Sequence, residues 1–357
     1  MKTLVFTGGH HTSALVVADE LIRRGWRVVW FGHRRSMWGD LADSGEYRDV
    51  TASGIPFYDL QAGKFYRTLN PLKLLRIPLG FAQAFVLLLR LRLELKSDLV
   101  GIVSFGGYLA VPTVITGWCL GIPAVTHEQT VVTGWANKTI SLLSQKIAIT
   151  WPASRAHFPA SKVVLTGLPL RPGLLVRRSP RPPAPVSTIY ITGGKQGSHA
   201  LNTAVFSALP RLIPPYRLIH QTGTTTTTRD LSIAKSLVKK YPGKYRVFGF
   251  DSHMAIAALK KCQLVVSRAG AHTVYELAIL GLPCVLVPLP QSSHHEQSRQ
   301  AEILAGAGQA VIIPQDRLSP QSLIAAIAAA GKLHPRPVSL PTDGLNRMVY
   351  LIETTFR

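Results

Sequence analysis

The sequence predicts an α/β protein folded as two parallel-sheet domains, and three observations predict it. Short apolar runs alternate with segments of helical periodicity along most of the chain. The runs are apolar at consecutive positions, so neither face of the sheet meets water, which is the mark of parallel strands covered by helices. In both halves a run ends in a glycine turn that opens onto a helix: LVFTGGHHTSALVVADEL (4–21), then ITGGKQGSHALN (191–202) and SRAGAHTVYELAILGLP (267–283). Glycine lets backbone N–H groups approach an anion, and the helix that follows adds its positive end. Two such halves imply a cleft between two domains, with chemistry in the cleft.

The elements follow in order. LVFTGG (4–9) is a strand entering its glycine turn, and SALVVADELIRRG (13–25) is a helix that stops at Gly25. WRVVWFG (26–32) and LVGIVSFGG (99–107) are strands, followed by a helix over 108–120 and the strands IPAVTHE (122–128), KIAIT (146–150) and KVVLTGLP (162–169). RPGLLVRRSPRPPAPVS (171–187) reads as a linker, because proline removes donors and the apolar periodicity lapses there. TIYITGG (188–194) restarts the alternation, which YRLIHQTG (216–223), YRVFGF (245–250), QLVVSRAG (263–270), PCVLVPLP (283–290) and AVIIP (310–314) continue. LNRMVYLIETTFR (345–357) is a final helix. The domains are expected at 1–170 and 188–344, with the helix 345–357 joining the first.

The 357 residues carry 40 Lys and Arg against 18 Asp and Glu, a formal charge of +22. That surface favours anionic partners: nucleic acid, acidic lipid or phosphorylated substrates. Nucleic acid is set aside, since the chain has no recognition helix or aromatic-basic module. Over 64–92 the charge is mixed with apolar groups. Lys64, Arg67, Lys73 and Arg76 alternate with Phe65, Tyr66 and leucines, and Arg90 and Arg92 with further leucines. Such a segment lies at an anionic membrane interface, or else forms a core helix with a solvated loop; the membrane is the expectation. No uncharged apolar run reaches about eighteen residues, so no transmembrane helix is expected. No signal peptide is expected ahead of the first strand. Cys119, Cys262 and Cys284 stand far apart in apolar runs, without metal-ligand spacing, and read as buried free thiols.

Five segments, TGGHHTSALVVADEL (7–21), SFGGYLAVPTVITGWCLGIPAVTHEQT (104–130), TGLPLR (166–171), ITGGKQGSHALN (191–202) and SRAGAHTVYELAILGLP (267–283), together resemble the MurG-type glycosyltransferases. The resemblance runs over nearly the whole chain. It implies two Rossmann-like domains of GT-B architecture with an interdomain cleft, a lipid-acceptor domain first and a nucleotide-sugar domain second. It implies inverting transfer of N-acetylglucosamine from UDP-N-acetylglucosamine to the undecaprenyl-pyrophosphate-linked muramyl pentapeptide, at the cytoplasmic membrane face, with other cell-wall synthesis proteins as candidate partners.

By the same resemblance, Thr7, Gly8, Gly9 and His10 match the family's first loop, and Gly106, Gly107 and Tyr108 its Gly-Gly-Tyr. His127, Glu128 and Gln129 match His-Glu-Gln, and with these loops form the expected acceptor site. Gly167, Pro169 and Arg171 match Gly-Asn-Pro-x-Arg. Gly193, Gly194, Gln196 and Gly197 match Gly-Gly-Ser-Gln-Gly, and Glu276 the ribose-binding glutamate. Of the Asp-His-Gln-x-x-Asn segment only Gln297 is retained. Departures stand at Thr130, Leu168, Lys195 and Glu296, and the first loop lacks an extra Gly-Gly. They leave room for another membrane glycolipid acceptor, another UDP-sugar, or a non-catalytic UDP-sugar-binding membrane subunit.

Transfer from a nucleotide-sugar needs a base for the acceptor hydroxyl, a held anomeric carbon and stabilisation of the departing diphosphate. A neutral histidine suits the first task. His10 is the first choice and His11 its rival, against a hydrogen-bonded structural pair. For the diphosphate there is no Asp-x-Asp pair to hold a metal. The loop Gly193–Gly197 offers N–H groups instead, with Lys195 as a charge and Arg171 as a second. No metal or other cofactor is therefore expected to be essential. Ala271, His272 and Thr273 open the helix that carries Glu276, and all four are assigned to the donor, with Gln297 on the sugar hydroxyls. Phe250 either encloses the uracil or packs the core. His127 and Glu128 either bind acceptor or form a satisfied buried pair. The adjacent His294 and His295 point apart and do not make a metal site with Glu296.

Overall fold

A computed structural model describes residues 1–35, 43–63, 71–171, 173–174, 186–292, 295–333, 335 and 338–357, with only the backbone of 71–75. The chain divides into two units, Met1–Arg171 with Pro341–Arg357, and Pro172–Leu340. Residues 64–70 of the basic-apolar segment, most of the linker stretch 171–187 and His294 lie outside the described residues.

The first unit is a seven-stranded parallel sheet. Its strands are β1 (Thr3–Thr7), β2 (Arg27–Gly32), β3 (Phe57–Asp59), β4 (Leu99–Ser104), β5 (Ala124–Glu128), β6 (Lys146–Ile149) and β7 (Val163–Leu165), in the order β3-β2-β1-β4-β5-β6-β7. Helices α1 (His11–Arg23), α2 (Gly45–Ala52), α3 (Pro71–Leu95), α4 (Ala110–Cys119) and α5 (Trp135–Leu143) connect them. Strand residues alternate between two cores. Leu4, Phe6, Trp30 and Phe105 pack under α1 with Met348, Val349, Ile352 and Phe356 of the C-terminal helix. Val5, Val29, Phe31 and Ile102 pack under α3, α4 and α5. Because both faces are buried, the strands read as unbroken apolar runs.

The second unit has six parallel strands: β8 (Thr188–Thr192), β9 (Arg217–Gln221), β10 (Tyr245–Phe248), β11 (Leu264–Ser267), β12 (Cys284–Leu286) and β13 (Ala310–Ile312). Their order is β10-β9-β8-β11-β12-β13. The helices are α6 (His199–Leu212), α7 (Asp230–Val238), α8 (Ser252–Lys261), α9 (Ala271–Leu280), α10 (Glu296–Gly306) and α11 (Pro320–Ala330). Leu201, Val205, Leu209, Leu323 and Ile327 of α6 and α11 pack on one face of the sheet.

The final helix, α12 (Gly344–Thr355), belongs to the first unit. Gly101 in β4 has no Cβ because the Phe356 ring occupies that space, and Arg24 pairs with Glu353 at 3.3 Å. The two-sheet α/β expectation is borne out. One expectation is corrected: Cys119 is exposed, because it ends α4 on the solvent side, while Cys262 and Cys284 are buried.

Candidate functional site

In an open parallel sheet, ligands bind past the C-terminal ends of strands where the strand order reverses. In the first unit that point lies between β1 and β4, and it is where the two glycine pairs meet. Gly9 N donates to Gly106 O at 2.9 Å. Gly8 has φ +136, and a Cβ there would lie 2.7 Å from the Phe105 backbone. Gly107 has φ +79, with its Cβ position 3.0 Å from Gly9 N. Only glycine allows two loops to touch backbone to backbone here. Tyr108 is half-buried beside them, its ring 5.6 Å from that of His33.

His10 caps α1 without using its side chain as a cap, and its ring is half-buried. Desolvation, aided by the neighbouring His11, lowers its pKa to about 4, so the ring is a neutral acceptor at neutral pH. His11 turns elsewhere, its Nε2 3.1 Å from Asp49 Oδ2. Adjacent residues at a helix start diverge by about 100°, and the doubled histidine is thereby split into two environments. His127 is fully buried below the loops. Its Nε2 lies 3.2 Å from both Gly167 O and Thr150 Oγ1, and with the proton on Nε2 donated to that carbonyl, Nδ1 is an acceptor with no protein partner. Desolvation, opposed by the Gly167 bond and aided by His10, lowers His127 to about 4. Thr7 is also buried, with its hydroxyl unpartnered.

Glu128 and Gln129 are engaged inside the fold. Glu128 accepts from Thr130 N at 3.0 Å and from Asn137 Nδ2 at 2.7 Å. Asn137 in turn abuts Gly106, 2.6 Å from where its Cβ would stand. Gln129 accepts from Ser13 of α1 at 3.0 Å. These residues therefore set the shape of the glycine loops from below.

In the second unit the strand order reverses between β8 and β11. The loop Gly193–Gly197 leaves β8 there. Gly194 and Gly197 have φ of +84 and +92. Thr192 Oγ1 accepts from Gly194 N at 3.0 Å and from Gln221 Nε2 at 2.9 Å, and Gln221 also donates to Gly194 O at 3.0 Å. Thr224 N and Thr225 N donate to Lys195 O and Gln196 O at 3.0 and 3.2 Å. The loop is held on two sides while Lys195 Nζ lies 5.7 Å from the centre of the half-buried Phe250 ring. Across the switch point, α9 follows Gly270, which makes no side-chain cap, and Ala271, His272 and Thr273 form its first turn. Glu276, one turn on, is half-buried and near enough to Tyr190 to help raise the phenol's pKa behind the dominant desolvation. Gln297 is half-buried and accepts from Leu289 N at 3.0 Å.

Arg171 closes the first unit, whereas the rest of the expected donor set lies in the second. Two further residues matter to the donor loops and were not singled out from sequence. Gln221 holds Gly194. Arg268 looks like a ligand cation in SRAG, yet it donates to Val287 O, Pro288 O and Gln315 Oε1 at 3.1, 3.4 and 2.5 Å, and burial lowers its pKa. Its role is to fix the end of β12; no local pattern distinguishes that from phosphate binding. Among the described residues no three His, Cys, Asp or Glu side chains gather as a metal site.

Two parallel sheets, each with a glycine loop and a helix N-terminus at its switch point, make up the GT-B architecture. Residues 5–149 match the glycosyltransferase family 28 N-terminal domain and residues 188–338 the family 28 C-terminal domain. The UDP-N-acetylglucosamine–N-acetylmuramyl-(pentapeptide) pyrophosphoryl-undecaprenol N-acetylglucosamine transferase of Desulforudis audaxviator is 32% identical over 339 residues, covering 90% of this chain and 87% of its own. Its counterpart in Methylococcus capsulatus is 35% identical over 327 residues, covering 90% and 86%. The crystal structure of MurG from Acinetobacter baumannii superposes with a TM-score of 0.70 at 27% identity, over 99% of this chain and 100% of that one. The chain belongs to this family of N-acetylglucosamine transferases.

Proposed function

We propose that this protein transfers N-acetylglucosamine from UDP-N-acetylglucosamine to the lipid-linked muramyl pentapeptide, giving the disaccharide precursor of peptidoglycan. Likeness to relatives that bear this name over about nine-tenths of the chain supports the reaction. The observation that carries the chemistry is the neutral His10 beside a glycine platform. In the proposed step the acceptor hydroxyl gives its proton to His10 as its oxygen attacks the anomeric carbon. The bond from that carbon to the diphosphate breaks, and its electron pair leaves with UDP, so the configuration inverts. The loop Gly193–Gly197, with the charge of Lys195, and the first turn of α9 meet the growing negative charge. Glu276 accepts from the ribose hydroxyls, Gln297 contacts the sugar, and Phe250 flanks the uracil. His127 and Thr7 line the acceptor side with the two glycine pairs.

The acceptor is anchored in lipid, and α3 supports attachment of the first unit to the cytoplasmic membrane face. Leu79, Phe85, Val86 and Leu93 are exposed on it at 46, 39, 61 and 68%, among Arg90 and Arg92. No helix among the described residues is long and apolar enough to cross a membrane, and a basic, apolar face of this kind fits a peripheral mode. The reaction is tested by following UDP release with both substrates in EDTA. Release that needs the acceptor supports the proposal; release that ignores it would mean hydrolysis.

A further inference from the structure

Beneath the donor loop runs a chain of buried polar side chains that the reaction above leaves unused. Tyr245 Oη donates to His220 Nδ1 at 2.8 Å, and His220 Nε2 donates to Asn202 Oδ1 at 3.0 Å. Burial pushes the His220 pKa down to about 3, so the ring is neutral with one N–H, and the amide oxygen fixes where it sits. Asn202 Nδ2 donates to Thr222 O at 3.0 Å and to Asp230 Oδ2 at 2.8 Å. Asp230 Oδ1 accepts from His199 Nδ1 at 2.8 Å. Asp230 is only 4% exposed, while the His199 side chain keeps 59% of its surface. A buried carboxylate at the start of α7 is thus met by an amide from inside and by an imidazole that reaches in from the surface.

The chain ends on the donor loop. Thr222 O, which Asn202 holds, occupies the space where a Gly197 Cβ would stand, and Gly197 N occupies that of a Gly223 Cβ. Thr224 and Thr225 then hydrogen-bond Lys195 O and Gln196 O. No slack separates Asn202 from Thr222 or Thr222 from Gly197, so a shift of the amide is a shift of the loop.

We infer that His199 is a positioning residue for the donor diphosphate, acting through Asp230, Asn202 and Thr222 on the loop Gly193–Gly197. This rests on reading that loop as the diphosphate site. His199 lies outside the apolar core, so its removal leaves the packing of the fold in place. A charged hydrogen bond is the strong kind, and its loss leaves Asp230 with fewer donors.

The test uses the full-length protein and compares wild type with His199→Ala and His199→Asn. Asparagine places an N–H near the position of Nδ1. UDP affinity is measured by calorimetry, and donor KM and kcat at saturating acceptor. His199→Ala is expected to weaken UDP binding and raise donor KM about tenfold, with kcat and acceptor KM within about twofold. His199→Asn recovers most of the loss. Asp230→Asn, which leaves the Asn202 and His199 donors one acceptor between them, weakens UDP at least as much as His199→Ala. UDP affinity in His199→Ala equal to wild type overturns the inference, as does a fall in kcat and melting temperature with donor KM unchanged. Failure of the donor-site reading itself looks different, since Lys195→Ala then also leaves UDP affinity at the wild-type level.

Discussion

The donor loop offers a test in which one added methyl group is the whole perturbation. Gly194 and Gly197 stand three residues apart with φ of +84 and +92, so alanine at either position carries the same backbone strain. That strain is about 1–2 kcal/mol. The surroundings differ. Nothing lies within 4 Å of a Gly194 Cβ, whereas a Gly197 Cβ would overlap the Thr222 carbonyl, a backbone group that cannot rotate away. Forcing a methyl into a filled site adds about 1–3 kcal/mol. Gly194→Ala is therefore expected to lose about 1–2 kcal/mol and Gly197→Ala about 2–5 kcal/mol. The difference corresponds to roughly 5- to 150-fold in an equilibrium constant. Thermal denaturation with and without UDP, together with UDP titration, reads how the loss divides between folding and donor binding. Equal losses in the two variants would refute the claim that contact with Thr222 holds the loop.

His10→Ala is expected to lower kcat about 100- to 10,000-fold while UDP affinity and melting temperature stay near wild type; a fall of less than about tenfold would remove His10 as the base. The buried histidines contribute to stability with a definite sign in pH. His10 and His127 are lowered to about 4 and His220 to about 3, from an ordinary 6.5, chiefly by desolvation. At these three sites the unfolded chain then binds more protons than the folded one, so their contribution to the unfolding free energy falls as pH drops from about 6.5 toward 4, while Asp19, Glu46 and Glu296, raised by desolvation, act in the opposite sense. Each of the two fully buried rings, His127 and His220, adds a slope of at most about 1.4 kcal/mol per pH unit. Denaturant titrations in which His127→Gln keeps the wild-type dependence of stability on pH over that range contradict the assignment. For membrane attachment, Val86→Glu with Leu93→Glu should sharply reduce co-sedimentation with anionic vesicles and leave UDP binding intact; undiminished sedimentation would place the attachment elsewhere.

The central strands were legible because both of their faces are buried, which writes them as continuous apolar runs. The glycine loops were legible because positive φ and close backbone approach admit few other residues. The edge strand β3 was not, since its Phe57 and Tyr58 are half-buried and it spans only three residues. At the site, sequence brought out His10 and His11 together, but only the helix start shows that one stays by the glycine platform while the other turns to Asp49. Arg268 was illegible for a related reason. A cation after a strand reads the same whether it meets phosphate or the carbonyls of the next strand end. The path from His199 to Tyr245 crosses three strand–helix units, and no local spacing encodes it.

The most direct test of the account is the mass of the lipid product. Purified protein is incubated with UDP-N-acetylglucosamine and the lipid-linked muramyl pentapeptide in EDTA, and the lipid is analysed by mass spectrometry and for anomeric configuration. The account predicts one added N-acetylhexosamine in β linkage from the α-linked donor. An unchanged lipid, with UDP binding intact and no recovery on adding magnesium, would contradict it.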